Sequence, residues 1–240
     1  MHLIKTTGLL LAGALLVASC GQKGGTVETS GAKEVAQATG KTISVNGAES
    51  KVLWTGYKPA GKHYGIIPVT SGEISLEGSD ITSGEFTFDI TALEIHDMEK
   101  TEESYGKLHG HLQSPDFFDA ANYPKATFEV TSVEPFSANP EVEDKEEFKT
   151  DYTPKLLSEQ MVDEPTHWIS GNLTMRGTTK NIKFPAAIKI EGDAVSAKAG
   201  FNIDRTDWGL SYGDESTAVD KAKDKFIYNT VNVGFEIKAN

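Results

Sequence analysis

Apolar and polar residues alternate along eight separate stretches of this chain. A period of two predicts strands with one face turned to a core. The first four stretches carry Val52 and Trp54, Ile74 and Leu76, Phe86, Phe88 and Ile90, and Phe128 and Val130. The last four carry Ile169, Leu173 and Met175, then Ile182 to Ile190, Val195 to Ile203, and Val231 to Ile237. Turn residues separate several of them, as at Asn46-Gly47, Gly78-Ser79-Asp80 and Arg176-Gly177. The period changes to 3.6 only between Asp97 and Ser114, where Met98, Tyr105, Leu108 and Leu112 share one side. Glu102 and Glu103 suit the first turn of such a helix, and Ser114-Pro115 ends it. The pattern predicts an all-β protein: an antiparallel β-barrel of about eight strands with one main α-helix at about 98–114.

The inward face of that barrel is Trp54, Phe86, Phe88, Ile90, Phe128, Phe184, Ile188, Phe201, Ile203, Val233 and Phe235. Eight strands enclose either one small ligand or a packed core. Alternation alone does not separate a hollow barrel from a filled one.

The ends of the chain read differently. Residues 1–19 have a short basic start, Lys5, and an apolar run from Leu9 to Ala18 that is too short to span a bilayer. The run closes on Leu16-Val17-Ala18-Ser19-Cys20, which resembles the lipobox of bacterial lipoproteins, where the cysteine takes lipid. The expected domains are a lipoprotein signal at 1–19, a flexible tether at 20–40 starting from lipidated Cys20, and one barrel at 41–240. The tether is rich in Gly, Thr, Ser and Ala, and such a coil spans about 25 Å. Cys20 is the sole cysteine, so no intrachain disulfide supports the fold. A formal charge of −12 without a Lys/Arg cluster argues against nucleic acid as a partner.

Pro135 to His167 interrupts the strand pattern with nine acidic residues against three lysines. It reads as a long solvated loop, with a short helix near Lys155 to Met161. Asp214 to Lys225 reads as a polar, helical connection. Gly209-Leu210-Ser211-Tyr212-Gly213 matches a nucleophile elbow in letters, but no histidine follows it in the chain. His109 and His111 lie two apart on the predicted helix and point to opposite sides, so the expectation is one packed and one exposed. Asp116 and Asp119 suit caps and turns. These readings give no catalytic and no metal residues, and they predict that the protein is not an enzyme.

Five segments together resemble the YceI family of periplasmic polyisoprenoid-binding proteins. They are Trp54–Lys58 with Gly61–Gly65, His111–Asp119, Tyr123–Phe128, Gly171–Lys180 and Asp204–Gly209. The resemblance covers about residues 41 to 240. It implies a lipocalin-like barrel that binds, sequesters or carries an isoprenoid or similar long-chain lipid in its apolar interior. The bound lipid is a ligand, and no cofactor is implied. The acidic segment is longer than the family's usual hairpin, and extra polar residues follow Trp208.

Free lipid in this compartment sits in a membrane, so burying its tail in a barrel gains little. Selectivity then falls to tail shape and to head-group contacts at the mouth. Lys58, Lys62, His63 and Arg205 are the candidates for an anionic head, with an Arg205–Asp207 structural pair as the alternative. Leu108, Leu112, Phe117 and Phe118 are the candidate lid. The expected partners are a long-chain lipid and a bacterial envelope membrane, periplasm-facing or surface, reached through Cys20; a homodimer is left open. A different class stays in view: a structural or partner-binding barrel with a filled core, using the acidic loop as contact surface.

Overall fold

A computed structural model describes residues 25–138, 149–218 and 225–240. The expectations for residues 1–19, Cys20 and the most acidic stretch, 139–148, fall outside these residues. The strands are β1 (Lys41–Ser44), β2 (Lys51–Lys58), β3 (Gly61–Glu77), β4 (Asp80–Asp89), β5 (Glu94–Ile95), β6 (Lys125–Pro135), β7 (His167–Met175), β8 (Thr178–Glu191), β9 (Ala194–Asp204) and β10 (Thr230–Ala239). Helix α1 spans Glu103–Gln113.

Eight strands form a closed antiparallel circuit in the order β3-β2-β10-β9-β8-β7-β6-β4, and β3 pairs back with β4. These eight coincide with the eight alternating stretches. Closure depends on β3, which is 17 residues long. Its first half pairs with β2 through Gly61–Pro68, and its second half pairs with β4 through Val69–Glu77. Register shifts at Val69/Ser71 and Ser75/Leu76 bend it between the two roles. Only its second half was visible as alternation. Short β1 and β5 add to opposite halves of β3 and lie outside the circuit.

One end of the barrel gathers the β2–β3 and β7–β8 turns, the ends of β4 and β9, and the starts of β6 and β10. We call this end the rim. The helix begins later than expected, since residues 98–102 form turns, and it ends at Ser114 as predicted. The Ser114 hydroxyl donates to the His111 carbonyl at 2.8 Å and accepts from the Asp116 amide at 3.3 Å.

Residues 25–40 are not a free tether. They form a strap across the outside of the barrel. The Val27 side chain is buried, its amide donates to the Asn202 carbonyl at 2.8 Å, and Ser30 bridges Asn181. Lys33 and the Asn172 side chain bond each other reciprocally at 3.0 and 2.8 Å, and the Ala36 amide reaches Val130. The composition was that of a linker, but the strap bonds through its backbone to three of four buried asparagines, which composition does not record.

Those asparagines are Asn172, Asn181, Asn202 and Asn232, on the outward face of β7 to β10. Asn is depleted in strands, and here each is enclosed and hydrogen-bonded. Asn181 donates to Asn172 at 3.1 Å and Asn232 donates to Asn202. Asn202 in turn donates to the carbonyls of Lys155 and Leu156 at 2.9 and 3.1 Å. That last contact pins part of the acidic segment: residues 149–166 lie over β9 and β10 and hold no helix between Lys155 and Met161. Gly200 makes this approach feasible, since a Cβ there would sit 2.0 Å from the Gln160 carbonyl. The connection after Asp214 has one short 3-10 turn, Glu215–Thr217, rather than the expected longer helix among its described residues.

Candidate functional site

The barrel interior is divided. Toward the rim lies a cavity of about 680 Å³, within the range of small-ligand sites. Toward the far end only about 70 Å³ is open. Phe88 and Phe235 line both spaces, and their rings stack at 5.7 Å. Behind them Phe128, Phe184 and Phe201 pack together, with Phe184 and Phe201 stacked at 4.2 Å. Gly171 gives the Phe128 ring its place, because a Cβ there would lie 2.2 Å from the ring.

The predicted inward face therefore splits in two. Trp54, Phe88, Ile90, Ile203, Val233 and Phe235 line the large cavity. Phe86, Phe128, Phe184 and Ile188 line only the small one, and Phe201 is buried and lines neither. For these five, alternation reports an inward face without reporting whether the space there is empty.

Helix α1 closes the rim. Leu108 and Leu112, one turn apart, face the cavity, while His109 and Gln113 on the neighbouring stripe hold the helix down. The His109 Nε2–H donates to the Leu93 carbonyl at 3.1 Å, and the Gln113 amide donates to Ile90 at 2.8 Å. Phe117 and Phe118 follow and also line the cavity. Both histidines are half-buried, which departs from the expected packed and exposed pair. His111 faces the cavity, with its ring 4.9 Å from Phe117 and 4.5 Å from Tyr212. Among the described residues no cluster of His, Cys, Asp and Glu could hold a metal ion.

The segment Asp204–Gly209 forms a 3-10 turn at the rim. The Asp204 carboxylate accepts from the Thr206 amide at 2.9 Å, and Gly209 closes the turn at φ 75°. The turn buries Trp208 completely, and its indole donates to the Leu173 carbonyl at 2.9 Å. It also sets Arg205 in the cavity wall. Arg205 is 3% exposed and donates to three backbone carbonyls: Tyr228 at 3.2 Å, Ile227 at 3.0 Å and Leu210. Burial pulls its pKa down, against the pull of Asp214, Asp204 and Glu215. Arg205 thus braces the rim loops, and no pair with Asp207 forms. The Asp207 carboxylate instead accepts from the Thr29 hydroxyl at 2.9 Å.

The other head-group candidates are separated by the fold. Lys58 is exposed and lines the opening. His63 lines the cavity and is held by Asp97 at 2.7 Å. Lys62 does not line it and pairs with Glu159 at 3.1 Å. Lys225, Leu210, Tyr212 and Phe226 also line the opening and were not found in the sequence. They sit in irregular segments with no period to read. Phe226 joins Tyr57 and Tyr228 in a second apolar cluster at the rim. Burial raises the Tyr57 pKa, helped by Glu159 nearby, and its hydroxyl donates to Asn232 at 2.5 Å.

The large cavity is thus mainly apolar and lies against one face of α1. The model of the YceI-like domain matches residues 43–239. The chain belongs to the YceI-like family. A search of curated proteins finds no match. Among solved structures, Burkholderia cenocepacia BcnA is 16% identical with a TM-score of 0.54, covering 82% of this chain and 99% of that one. A polyisoprenoid-binding domain from Saccharophagus degradans, implicated in plant cell wall breakdown, is also 16% identical, with a TM-score of 0.53 and coverage of 86% and 99%. At that identity the two show the same fold. All five segments that carried the YceI resemblance contribute residues to the large cavity in this family member, and Trp54–Lys58 with Gly61–Gly65, His111–Asp119, Gly171–Lys180 and Asp204–Gly209 contribute to no other space. The fifth contributes Ala126 to that wall and Phe128 to the filled half.

Proposed function

We propose that this YceI-like protein is a non-catalytic carrier or sequestering protein for an isoprenoid or similar long-chain lipid. The single observation behind the reading is the cavity of about 680 Å³, walled by apolar strands and the Leu108–Leu112 face of α1. The polyisoprenoid-binding domain with the same fold supports the choice of ligand class. The tail lies along Trp54, Ile203, Val233 and Leu112 and stops at Phe88 and Phe235. A polar head stays at the opening, where Lys58 and Lys225 are the exposed cations on the lining. The protein is a lipoprotein, lipidated at Cys20 and held to a membrane of the bacterial envelope. The Leu16–Cys20 lipobox supports that part.

The test is mass spectrometry of organic extracts from protein purified without its signal and anchor. One long-chain lipid per barrel is the expected result. Leu112→Asp, which sets a charge in the wall, should remove it while the fold persists by circular dichroism. Extracts that stay empty across preparations, or an undiminished lipid in Leu112→Asp, would refute the reading.

A further inference from the structure

The strap changes what an anchor at Cys20 would do. A free coil of twenty residues would let either end of the barrel meet the membrane. Here the upstream end of the strap is fixed beside the rim. Val27 bonds Asn202, two residues before β9 ends there, and Thr29 bonds Asp207 in the rim turn. Gly25 lies against Leu156. The adjacent Lys155 shares Glu159 with Lys62, next to cavity-lining His63. From there the strap crosses β8, β7 and β6 and reaches the far end only at Thr39, which bonds Thr82.

Cys20 and Gly25 are five residue-to-residue steps apart. Fully extended they reach about 18 Å. A ten-residue strand tilted as in a barrel of this size gives a height of about 25 Å. A leash of that length, starting at the rim, holds the rim nearer the bilayer than the far end.

The exposed side chains agree with this independently. Six large hydrophobic residues are exposed among the described ones. Three stand on the rim: Tyr64 near the start of β3, Tyr123 just before β6 and against Gly177, and Tyr212 on the cavity lining. Tyr152 and Leu157 stand on the loop over β9 and β10, Leu157 next to the Leu156 that Gly25 meets, and Val35 is on the strap. Tyrosine rings favour the head-group level of a bilayer.

We infer that the anchored protein faces the bilayer with its cavity mouth, rim tyrosines at the head-group layer, so that ligand passes between bilayer and cavity without crossing water. The inference rests on the lipidation of Cys20 proposed above. It is tested with the full lipidated chain on vesicles of phosphatidylethanolamine and phosphatidylglycerol containing a nitroxide-labelled lipid. A fluorophore is placed on Ser211→Cys at the rim or on Asp193→Cys at the far end. The rim label should be quenched several-fold more than the far label. Equal quenching, stronger quenching at 193, or none at either position on protein that floats with the vesicles overturns the orientation alone. Protein that does not float, or Cys20→Ser that floats equally, overturns the anchor and the orientation with it.

Discussion

The rings of Phe88 and Phe235 stack at 5.7 Å where the open half of the barrel meets the filled half. Phe235 also lies within 6.0 Å of the Phe128, Phe184 and Phe201 rings, so it is the residue that joins the partition to the aromatic floor. Phe235→Ala should connect the two spaces and admit a longer tail. It should also cost about 3–5 kcal/mol, as Phe-to-Ala changes in cores do. Chemical denaturation gives the cost, and mass spectrometry of extracted lipid gives the tail length. A variant that loses the stability but keeps the same tail-length distribution would show that the partition does not limit the ligand.

Asn172 ties the strap to the barrel. Its side chain accepts from Lys33 and Asn181 and donates back to Lys33. Asn172→Ala removes all three bonds and leaves the Asn181 amide with one fewer partner in a buried place. An unsatisfied buried group costs about 1–3 kcal/mol. The expected outcome is a loss of that size together with faster amide exchange in residues 26–36. Unchanged exchange there would mean that the strap is held without this asparagine.

The barrel was legible because its signal is repeated. Eight stretches alternate, and an inward position such as Val233 or Ile203 needs only its own strand to be read. The helix was legible for the same reason, since Leu108 and Leu112 share one of its faces. What escaped depends on contacts between segments far apart in the chain. Gly25 to Gly40 has the composition of a linker, and only Asn172, Asn181 and Asn202 reveal that something is bound over them. Each of these stood on a polar strand face, where a solvated residue was the simpler reading. Arg205 was read as a head-group contact, but its donors go to carbonyls of Leu210, Ile227 and Tyr228, whose positions no local pattern predicts. The five-ring interior shows the remaining limit: Phe184 and Phe201 read as lining in the sequence, and only their packing shows that they fill the far half.

Gly200 sets how closely the loop 149–166 can approach β9. A methyl group there would fall 2.0 Å from the Gln160 carbonyl carbon and oxygen. Those atoms are backbone and cannot swing away as a side chain would. Gly200→Ala should lift the loop from the barrel and break the bonds from Asn202 to Lys155 and Leu156. The barrel itself should stay folded, because the added methyl group points outward. Limited proteolysis should then cut within 149–166 at protease levels that leave the parent intact. Equal resistance would place the restraint on the loop elsewhere.

Glu159 fastens the same loop by charge, and its effect should depend on pH. Its carboxylate accepts from Lys62 at 3.1 Å and pairs with Lys155 at 3.5 Å. The hydrogen bond from Lys62 is the largest cause holding its pKa below the ordinary 4.5, with partial burial working against it. A carboxyl group with a lowered folded-state pKa adds stability that is fully present above its unfolded value. That stability fades as pH falls through the folded-state value. The pair is partly exposed, so the effect is small at best and weakens with salt. Glu159→Gln should therefore lower the midpoint of thermal unfolding at pH 7. The gap to the parent should narrow as the pH drops below about 4.5, where the parent's carboxylate is also neutralised. A gap that is constant from pH 7 to pH 3, or one that widens on acidification, would show that Glu159 acts through packing and not through its charge.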